Sequence, residues 1–316
     1  MRHVQKDMNA TKVVLITGTS SGIGTATAIA FAKAGYKVIA TLRDINKATI
    51  LLDLSQKEGV KLDIRELDVC DNNIIDTGIN DILKSHGKID ILINNAGTGY
   101  FGTLEQTPLA DVMRIMDINF YSVVRVTKAV LPSMRKAGSG HILTVSSVGG
   151  LIGQPFNDAY CAAKFAIEGL MESLAPVMTN FGIHISLIEP GPVKTNFINN
   201  LEIPKSINKL EHEASDPYAE MMKAYIRYMP QRYETAGQTA DEIANVILNA
   251  VSAEKPHLRY PTSLSASKIV SHKYIDITGD SVIKATTSAI DQPPLEPTPN
   301  IGCEANLTTC KKAVKG

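Results

Sequence analysis

From residue 12 the sequence alternates short apolar runs with longer segments of helical periodicity. The short runs, rich in β-branched residues, lie at 13–17, 37–41, 61–67, 89–93, 141–146 and 184–188, with a weaker one at 258–260. Most are continuously apolar, as expected for strands that are covered on both faces. Helical patterns separate them at 22–34, 45–58, 72–85, 109–136, 158–180 and 240–252. This alternation predicts an α/β fold, a doubly wound parallel sheet of about seven strands with helices on both faces.

The chain of 316 residues is long enough for one large domain of the Rossmann type followed by a tail. Residues 192–239 interrupt the alternation with mixed sequence that includes Met221, Met222, Tyr225, Tyr228 and Met229, and we predict a substrate loop or lid there. After residue 290 the chain is rich in Pro, Thr and Lys and has little periodic apolar content. We therefore expect a single domain over residues 1–290 and a poorly ordered tail over 291–316.

Composition excludes several classes of partner. Lys plus Arg and Asp plus Glu are equal at 32 each, so the protein has no overall field that attracts nucleic acid or an anionic membrane. The first ten residues are polar, and no apolar stretch approaches the ~18 residues of a membrane span. The four cysteines form no C-x-x-C pair, which favours reduced thiols, and we expect the protein in the cytoplasm. The seven histidines lack ligand spacing, so no metal site is predicted.

A glycine-rich turn follows the first predicted strand and opens the first predicted helix. Such a turn lets the backbone approach the pyrophosphate of a dinucleotide at the helix N-terminus. A tight strand-to-helix turn without a ligand can carry the same glycines, but the strand-turn-helix context favours cofactor binding. The residues that we expect to contact the phosphates are Gly18, Ser20, Ser21, Gly22, Ile23 and Gly24.

The end of the second predicted strand indicates which dinucleotide binds. A protein that prefers NAD is expected to carry an acidic residue there, whereas this chain has Leu42 followed by Arg43. The planar guanidinium of Arg43 suits the 2′-phosphate of NADP, and the hydroxyl of Ser21 can add a donor. The alternative is an exposed Arg43 that Asp44 neutralises. We predict NADP(H).

Tyr160 and Lys164 are four residues apart in a predicted helix, so their side chains share one face. A neighbouring ammonium favours the phenolate form, which predicts a lowered pKa for Tyr160 and a role in proton transfer. A Tyr and a Lys at this spacing are common in unrelated helices. The predicted role in proton transfer is supported by Ser147, which closes the fifth predicted strand just upstream. A hydroxyl at that edge of the sheet can hydrogen-bond a reacting oxygen.

Taken together, these motifs resemble those of the short-chain dehydrogenase/reductase family over about residues 12–195. The resemblance implies that Tyr160 is the catalytic acid/base, that Lys164 lowers its pKa and holds the nicotinamide ribose, and that Ser147 orients the substrate. It further implies that Asn119 supports a water-linked proton path. The further cofactor contacts that the resemblance implies are Asp68 and Val69 at the adenine, Asn95, Ala96 and Gly97 along the channel, and Pro190, Gly191, Val193 and Thr195 at the nicotinamide.

Longer stretches such as ATLRD at 40–44 and FAIEGL at 165–170 are similar to the branch that holds 17β-hydroxysteroid dehydrogenase type 1 and the retinol dehydrogenases. This resemblance implies a small lipophilic carbonyl or alcohol substrate, although residues 217–238 contain no histidine to anchor a steroid hydroxyl. Two alternatives stay open: a ketoreductase of a lipid or natural-product pathway, and a non-catalytic dinucleotide-sensing protein. The long, apolar predicted helices at 109–136 and 158–180 predict a homodimer, with a tetramer left open. The alternative is that these helices pack only on their own sheet.

Overall fold

The computed structural model describes residues 11–195, 216–287 and 290, and for residues 228 and 230–232 only the backbone. Within these residues nine strands occur, seven of which form one parallel sheet in the order β3-β2-β1-β4-β5-β6-β9. The other two form a separate two-stranded sheet. The strands are β1 (Val13–Ile16), β2 (Lys37–Leu42), β3 (Asp63–Glu66), β4 (Ile91–Asn94), β5 (Gly140–Val145), β6 (Ile183–Glu189), β7 (Val193–Lys194), β8 (Gln238–Thr239) and β9 (Arg259–Pro261).

Helices cover both faces of the large sheet, which confirms the predicted doubly wound α/β fold. In chain order they are α1 (Gly22–Lys33), α2 (Thr49–Lys57), α3 (Asn72–His86), α4 (Leu109–Met116), α5 (Ser122–Ala137), α6 (Asp158–Thr179), α7 (Ala219–Ala236), α8 (Ala240–Ser252), α9 (Leu264–Ile275) and α10 (Asp280–Thr287). One apolar core joins α3, α5 and α6 to the sheet, and a second joins α1, α2 and α8 to its other face.

The sequence located the seven strands of the large sheet to within two residues at each end, including the weaker run that became β9. Three differences matter. The pattern at 109–136 forms one continuous helical run, but a π-helical turn at Asp117–Tyr121 divides it into α4 and α5. The predicted substrate loop contains a helix, α7, and the chain between β9 and residue 287 forms α9 and α10. The predicted tail at 291–316 lies outside the described residues.

The strand order fixes where a site can form. Parallel strands bring their carboxyl ends to one edge of the sheet, and β1 lies between β2 and β4, where successive connections leave in opposite directions. Open α/β sheets bind ligands in the crevice at such a switch point. The glycine-rich turn, Asn95, Ser147 and Gly191 all follow strands at this edge.

Candidate active site

A cavity of about 490 Å³ lies at the carboxyl edge of the sheet. Of the residues predicted from the sequence to form the site, all but Gly24 line it. They are Gly18, Ser20, Ser21, Gly22, Ile23, Arg43, Asp68, Val69, Asn95, Ala96, Gly97, Asn119, Ser147, Tyr160, Lys164, Pro190, Gly191, Val193 and Thr195. Residues far apart in the chain therefore converge on one cavity.

Two glycines of the turn allow a close approach of backbone to backbone. Gly18 has a φ of +70°, and a Cβ there would lie 2.7 Å from the Cα of Ala96. A Cβ on Gly24 would lie 2.2 Å from the carbonyl oxygen of Gly18, so Gly24 packs behind the turn rather than facing the cavity. Close packing of helix on strand is one of the tasks that glycines have in dinucleotide-binding turns.

Asn95 ties the glycine-rich turn to the end of β4. Its side-chain amide donates to the carbonyl oxygens of Thr17 and Gly18, each at 2.9 Å, and its backbone N–H donates to the Thr17 hydroxyl at 3.0 Å. Ser21 is the N-cap of α1, but its side chain makes no capping hydrogen bond, and the first turn of α1 has no acidic residue. The N–H groups that begin α1 are therefore free of a competing carboxylate, which suits a phosphate.

The cavity edge beyond β2 carries two cations. Arg43 and Lys47 both line it and are exposed. Asp44 does not neutralise Arg43: its carboxylate accepts from the backbone and side-chain amides of Asn46 at 3.0 and 3.1 Å, and the described residues include no Arg43–Asp44 ion pair. Lys47 was not predicted from the sequence, since only the turn Ile45–Lys47 directs it to the same cavity as Arg43.

The helix α6 places Tyr160 and Lys164 one turn apart, as the spacing predicted. The Lys164 ammonium lies 5.6 Å from the centre of the Tyr160 ring and donates to the carbonyl oxygen of Val145 at 2.9 Å. The side chain of Lys164 is buried, and burial lowers its pKa to about 8, while the carboxylate of Glu168 acts in the opposite direction. Lys164 is thus fixed between β5 and Tyr160.

Burial raises the pKa of the Tyr160 phenol above its usual value, and a hydrogen bond with Ser147 opposes this shift. This direction is opposite to the one predicted from the spacing of Tyr160 and Lys164. The reason is that removing the phenol from water disfavours the phenolate more than its surroundings in the structure stabilise it. In this environment Tyr160 holds its proton, as a proton donor must.

Ser147 lies two residues beyond the end of β5. Its extended backbone makes it the N-cap of a short 3-10 turn, Val148–Gly150, and its side-chain oxygen accepts from the Gly149 N–H at 3.0 Å. The same hydroxyl faces Tyr160. A serine oxygen and a phenol therefore share one point of the cavity, where a single substrate oxygen can contact both.

Asn119 lies in the π-helical turn between α4 and α5 and is fully buried. Its side-chain oxygen accepts from the Thr98 N–H at 3.1 Å, and its nitrogen donates to the carbonyl oxygens of Thr98 and Ile115, each at 3.0 Å. All of its polar atoms are used to hold the segment after β4. A π-helical turn often marks a functional site, and here it positions this amide.

One wall of the cavity comes from α7. Tyr225, Met229 and Tyr233 line it, joined by Gln154 and Asn157. Tyr225 packs on Phe101 and Phe156 with ring centres 5.8 and 5.5 Å apart. The sequence placed Tyr225 and Met229 in the predicted substrate loop without assigning them to the site, although the spacing of four between 225, 229 and 233 indicates one helix face.

The described parts of the chain hold no cluster of three or more His, Cys, Asp or Glu side chains arranged to bind a metal ion. They also contain no helix that is long and apolar enough to cross a bilayer.

Comparison with known proteins places these features in context. Residues 12–205 match the short chain dehydrogenase family. Retinol dehydrogenase 8 of Bos taurus is 38% identical over 287 residues, covering 88% of this chain and 90% of that protein. The 17-beta-hydroxysteroid dehydrogenase type 1 of Homo sapiens is 38% identical over 283 residues, covering 87% and 85%. A short-chain dehydrogenase structure from Streptomyces avermitilis superimposes with a TM-score of 0.73 at 29% identity, covering 90% of this chain and all of that one.

Proposed function

The chain belongs to the short-chain dehydrogenase family, and from that premise we propose that it interconverts a ketone or aldehyde with the corresponding alcohol by means of NADP(H). Membership makes it an oxidoreductase of CH–OH donors that binds a nicotinamide dinucleotide. The observation that carries the proposal is the meeting of the Tyr160 phenol, the Ser147 hydroxyl and the Lys164 ammonium in the cavity that the glycine-rich turn also lines.

The residues of the cavity fit a dinucleotide. A turn without room for a Cβ at Gly18, together with the open N-terminus of α1, suits the pyrophosphate. Asp68 and Val69 suit the adenine, Asn95, Ala96 and Gly97 the channel, and Pro190, Gly191, Val193 and Thr195 the nicotinamide end. Arg43, which forms no ion pair with Asp44 within the described residues, supports the preference for NADP(H), because its guanidinium can form a bidentate contact with a 2′-phosphate.

When bound, NADPH supplies the hydride. Tyr160 holds the proton on its phenolic oxygen and donates it to the carbonyl oxygen of the substrate, while the Ser147 hydroxyl orients that oxygen. Lys164 holds the nicotinamide ribose and stabilises the phenolate that remains. Asn119 has a positioning role. Its side chain forms hydrogen bonds with the backbone of Thr98 and Ile115, and in this way it keeps the segment that supports the water-linked proton path in place.

The wall formed by Tyr225, Met229 and Tyr233 supports a lipophilic substrate, since aromatic and thioether side chains contribute most of their surface as apolar contact. The names of the relatives point to retinoid or steroid alcohols and ketones. A ketoreductase of a lipid or natural-product pathway uses the same chemistry and is distinguished by its substrate. A non-catalytic dinucleotide sensor is the less favoured alternative, because the reactive side chains are all present in one cavity.

The decisive variant is Tyr160→Phe. Oxidation of NADPH is followed at 340 nm with retinal, steroid ketones and aliphatic ketones in parallel, and with NADH as the comparison cofactor. We expect the variant to lose at least about a hundredfold in kcat, since general acid catalysis contributes 10²–10⁴, and to retain NADPH binding. Near-normal turnover by the variant contradicts the role of Tyr160. Tight NADPH binding by the unmodified protein without turnover of any carbonyl supports the sensor instead.

We also propose a homodimer and a cytoplasmic location. The helix α4 contacts α6, and both carry large exposed apolar side chains, Leu109 and Met113 on α4 and Phe165 and Val177 on α6, which a second copy can cover. The two cysteines among the described residues, Cys70 and Cys161, are free thiols, which suits a reducing compartment.

A further inference from the structure

Behind the catalytic pair lies a group of buried carboxyls that the reaction itself does not use. Glu168 follows Lys164 by one turn of α6 and is 4% exposed, and Glu189, the last residue of β6, is 0% exposed. A charge this deeply buried is costly unless it is paired. The arrangement therefore requires a physical reason.

Within the described residues, Arg259 is the cation that forms ion pairs with this group. Arg259 on β9 contacts Glu168 at 3.2 Å, Glu172 at 2.8 Å and Glu189 at 3.3 Å. One guanidinium cannot neutralise three carboxylates. Neither oxygen of Glu189 has a hydrogen-bond partner within the described residues, whereas Glu168 accepts a hydrogen bond from Arg259. Burial and the neighbouring Glu168 raise the pKa of Glu189 to about 8. Burial also raises the pKa of Glu168, but hydrogen bonds from Ser146 and Arg259 and the charges of Arg259 and Lys164 oppose that shift and favour the carboxylate.

Glu168 lies four residues after Lys164 on α6, so the two buried side chains share one face of the helix. Around Gly150 there is no room for a side chain, because a Cβ would lie 2.7 Å from the Ser146 hydroxyl, 3.1 Å from the Glu168 Cγ and 3.1 Å from the Lys164 carbonyl oxygen. Burial lowers the pKa of Lys164, and Glu168 acts in the opposite direction. The titratable groups that face Glu168 are Lys164 and Glu172 on α6, Glu189 on β6, Arg259 on β9, and Lys273 and Tyr274 on α9.

We propose that Glu168 is a positioning residue for the reaction: its buried carboxylate, anchored by Arg259, keeps Lys164 in the ammonium form beside Tyr160. Glu189 stays neutral, so that the site behind Lys164 holds one negative charge rather than two. The proposal rests on the proposed function only for its consequence in turnover, since the charge of Lys164 can be observed without any substrate.

The direct test is a pH titration of protein labelled with ¹³C at the lysine Cε, in which the Lys164 resonance is assigned by its loss in Lys164→Arg. We expect Lys164 of the unmodified protein to titrate near pH 8. In Glu168→Gln the midpoint should fall by roughly one unit, the smaller end of the 1–3 units typical of a close opposite charge. The matched control is Glu172→Gln, which removes an exposed carboxyl from the same arginine and should leave the midpoint unchanged.

The kinetic readout is the pH profile of carbonyl reduction. Removing a negative charge lowers the pKa at which the Tyr160–Lys164 pair loses its first proton, so the alkaline limb of kcat/KM should move to lower pH in Glu168→Gln. An unmoved Lys164 midpoint, or a uniform loss of activity with an unmoved limb, overturns the proposal. If Glu168→Gln does not fold, Ser146→Ala is titrated instead. Its Lys164 midpoint should fall by less than the roughly one unit expected for Glu168→Gln, and an unmoved midpoint overturns the proposal. Failure of the proposed function is seen separately, in Tyr160→Phe.

Discussion

At the scale of single residues, the site depends on which charges have partners. Asp44 uses its carboxylate to cap the turn that follows β2, so it does not pair with Arg43, which lines the cavity. The sequence showed the two residues side by side but could not show where each side chain points. The preference for NADP(H) is therefore a proposal that rests on the geometry around Arg43.

Arg43→Gln tests this preference. We expect NADPH to bind roughly ten- to a hundredfold more weakly, since a hydrogen bond to a charged group contributes about 1.5–3 kcal/mol, while NADH binding is unchanged. Dissociation constants are measured by the fluorescence of the bound nicotinamide. Arg135→Gln, an exposed arginine at the end of α5, is the control and should bind both cofactors normally. Equal losses for NADPH and NADH would count against the 2′-phosphate contact.

At the scale of elements, local spacing predicted helices well but not their interruptions. The pattern at 109–136 reads as one helix, yet the structure inserts a π-helical turn that brings Asn119 to Thr98. The π-helical turn forms because Asp117–Tyr121 packs against the chain that follows β4. Likewise α7 forms where the sequence suggested a loop, and its packing on Phe101 and Phe156 stabilises it.

Two glycines in helices make a matched pair of predictions. Gly24→Ala in α1 should destabilise the protein by about 1–3 kcal/mol, because the new methyl group meets the Gly18 carbonyl at 2.2 Å. Gly169→Ala in α6 should stabilise it by about 0.5–1 kcal/mol, since alanine restricts the unfolded chain and no atom lies within 4 Å of the new Cβ. Equilibrium unfolding in urea measures both. A neutral Gly24→Ala would show that the turn can shift to accept a side chain.

At the scale of the whole molecule, strand order assembles the site from segments that are distant in the chain. Asn95 follows β4 and binds the turn after β1, while Ser147 follows β5 and meets Tyr160 from α6. These contacts exist because the parallel sheet brings all carboxyl ends to one edge.

The proposed homodimer is tested on α4. Met113 is 64% exposed, and Met113→Glu should shift the protein from dimer to monomer in sedimentation velocity, because a carboxylate cannot be buried unpaired at an apolar interface. Leu52→Glu on α2, where the leucine is 52% exposed, is the control and should leave the dimer intact. A monomeric unmodified protein would contradict the dimer itself.

The sequence by itself determined the α/β fold, the family motifs and the identity of the residues at the carboxyl edge, because strand and helix periodicity and glycine-rich turns are local properties of the chain. Only the tertiary structure decided the positions of Lys47, of the α7 wall and of the buried carboxyls behind Lys164. It also reversed the expected direction of the Tyr160 pKa. Burial and the approach of distant charges are set by packing, and spacing along one helix does not contain them.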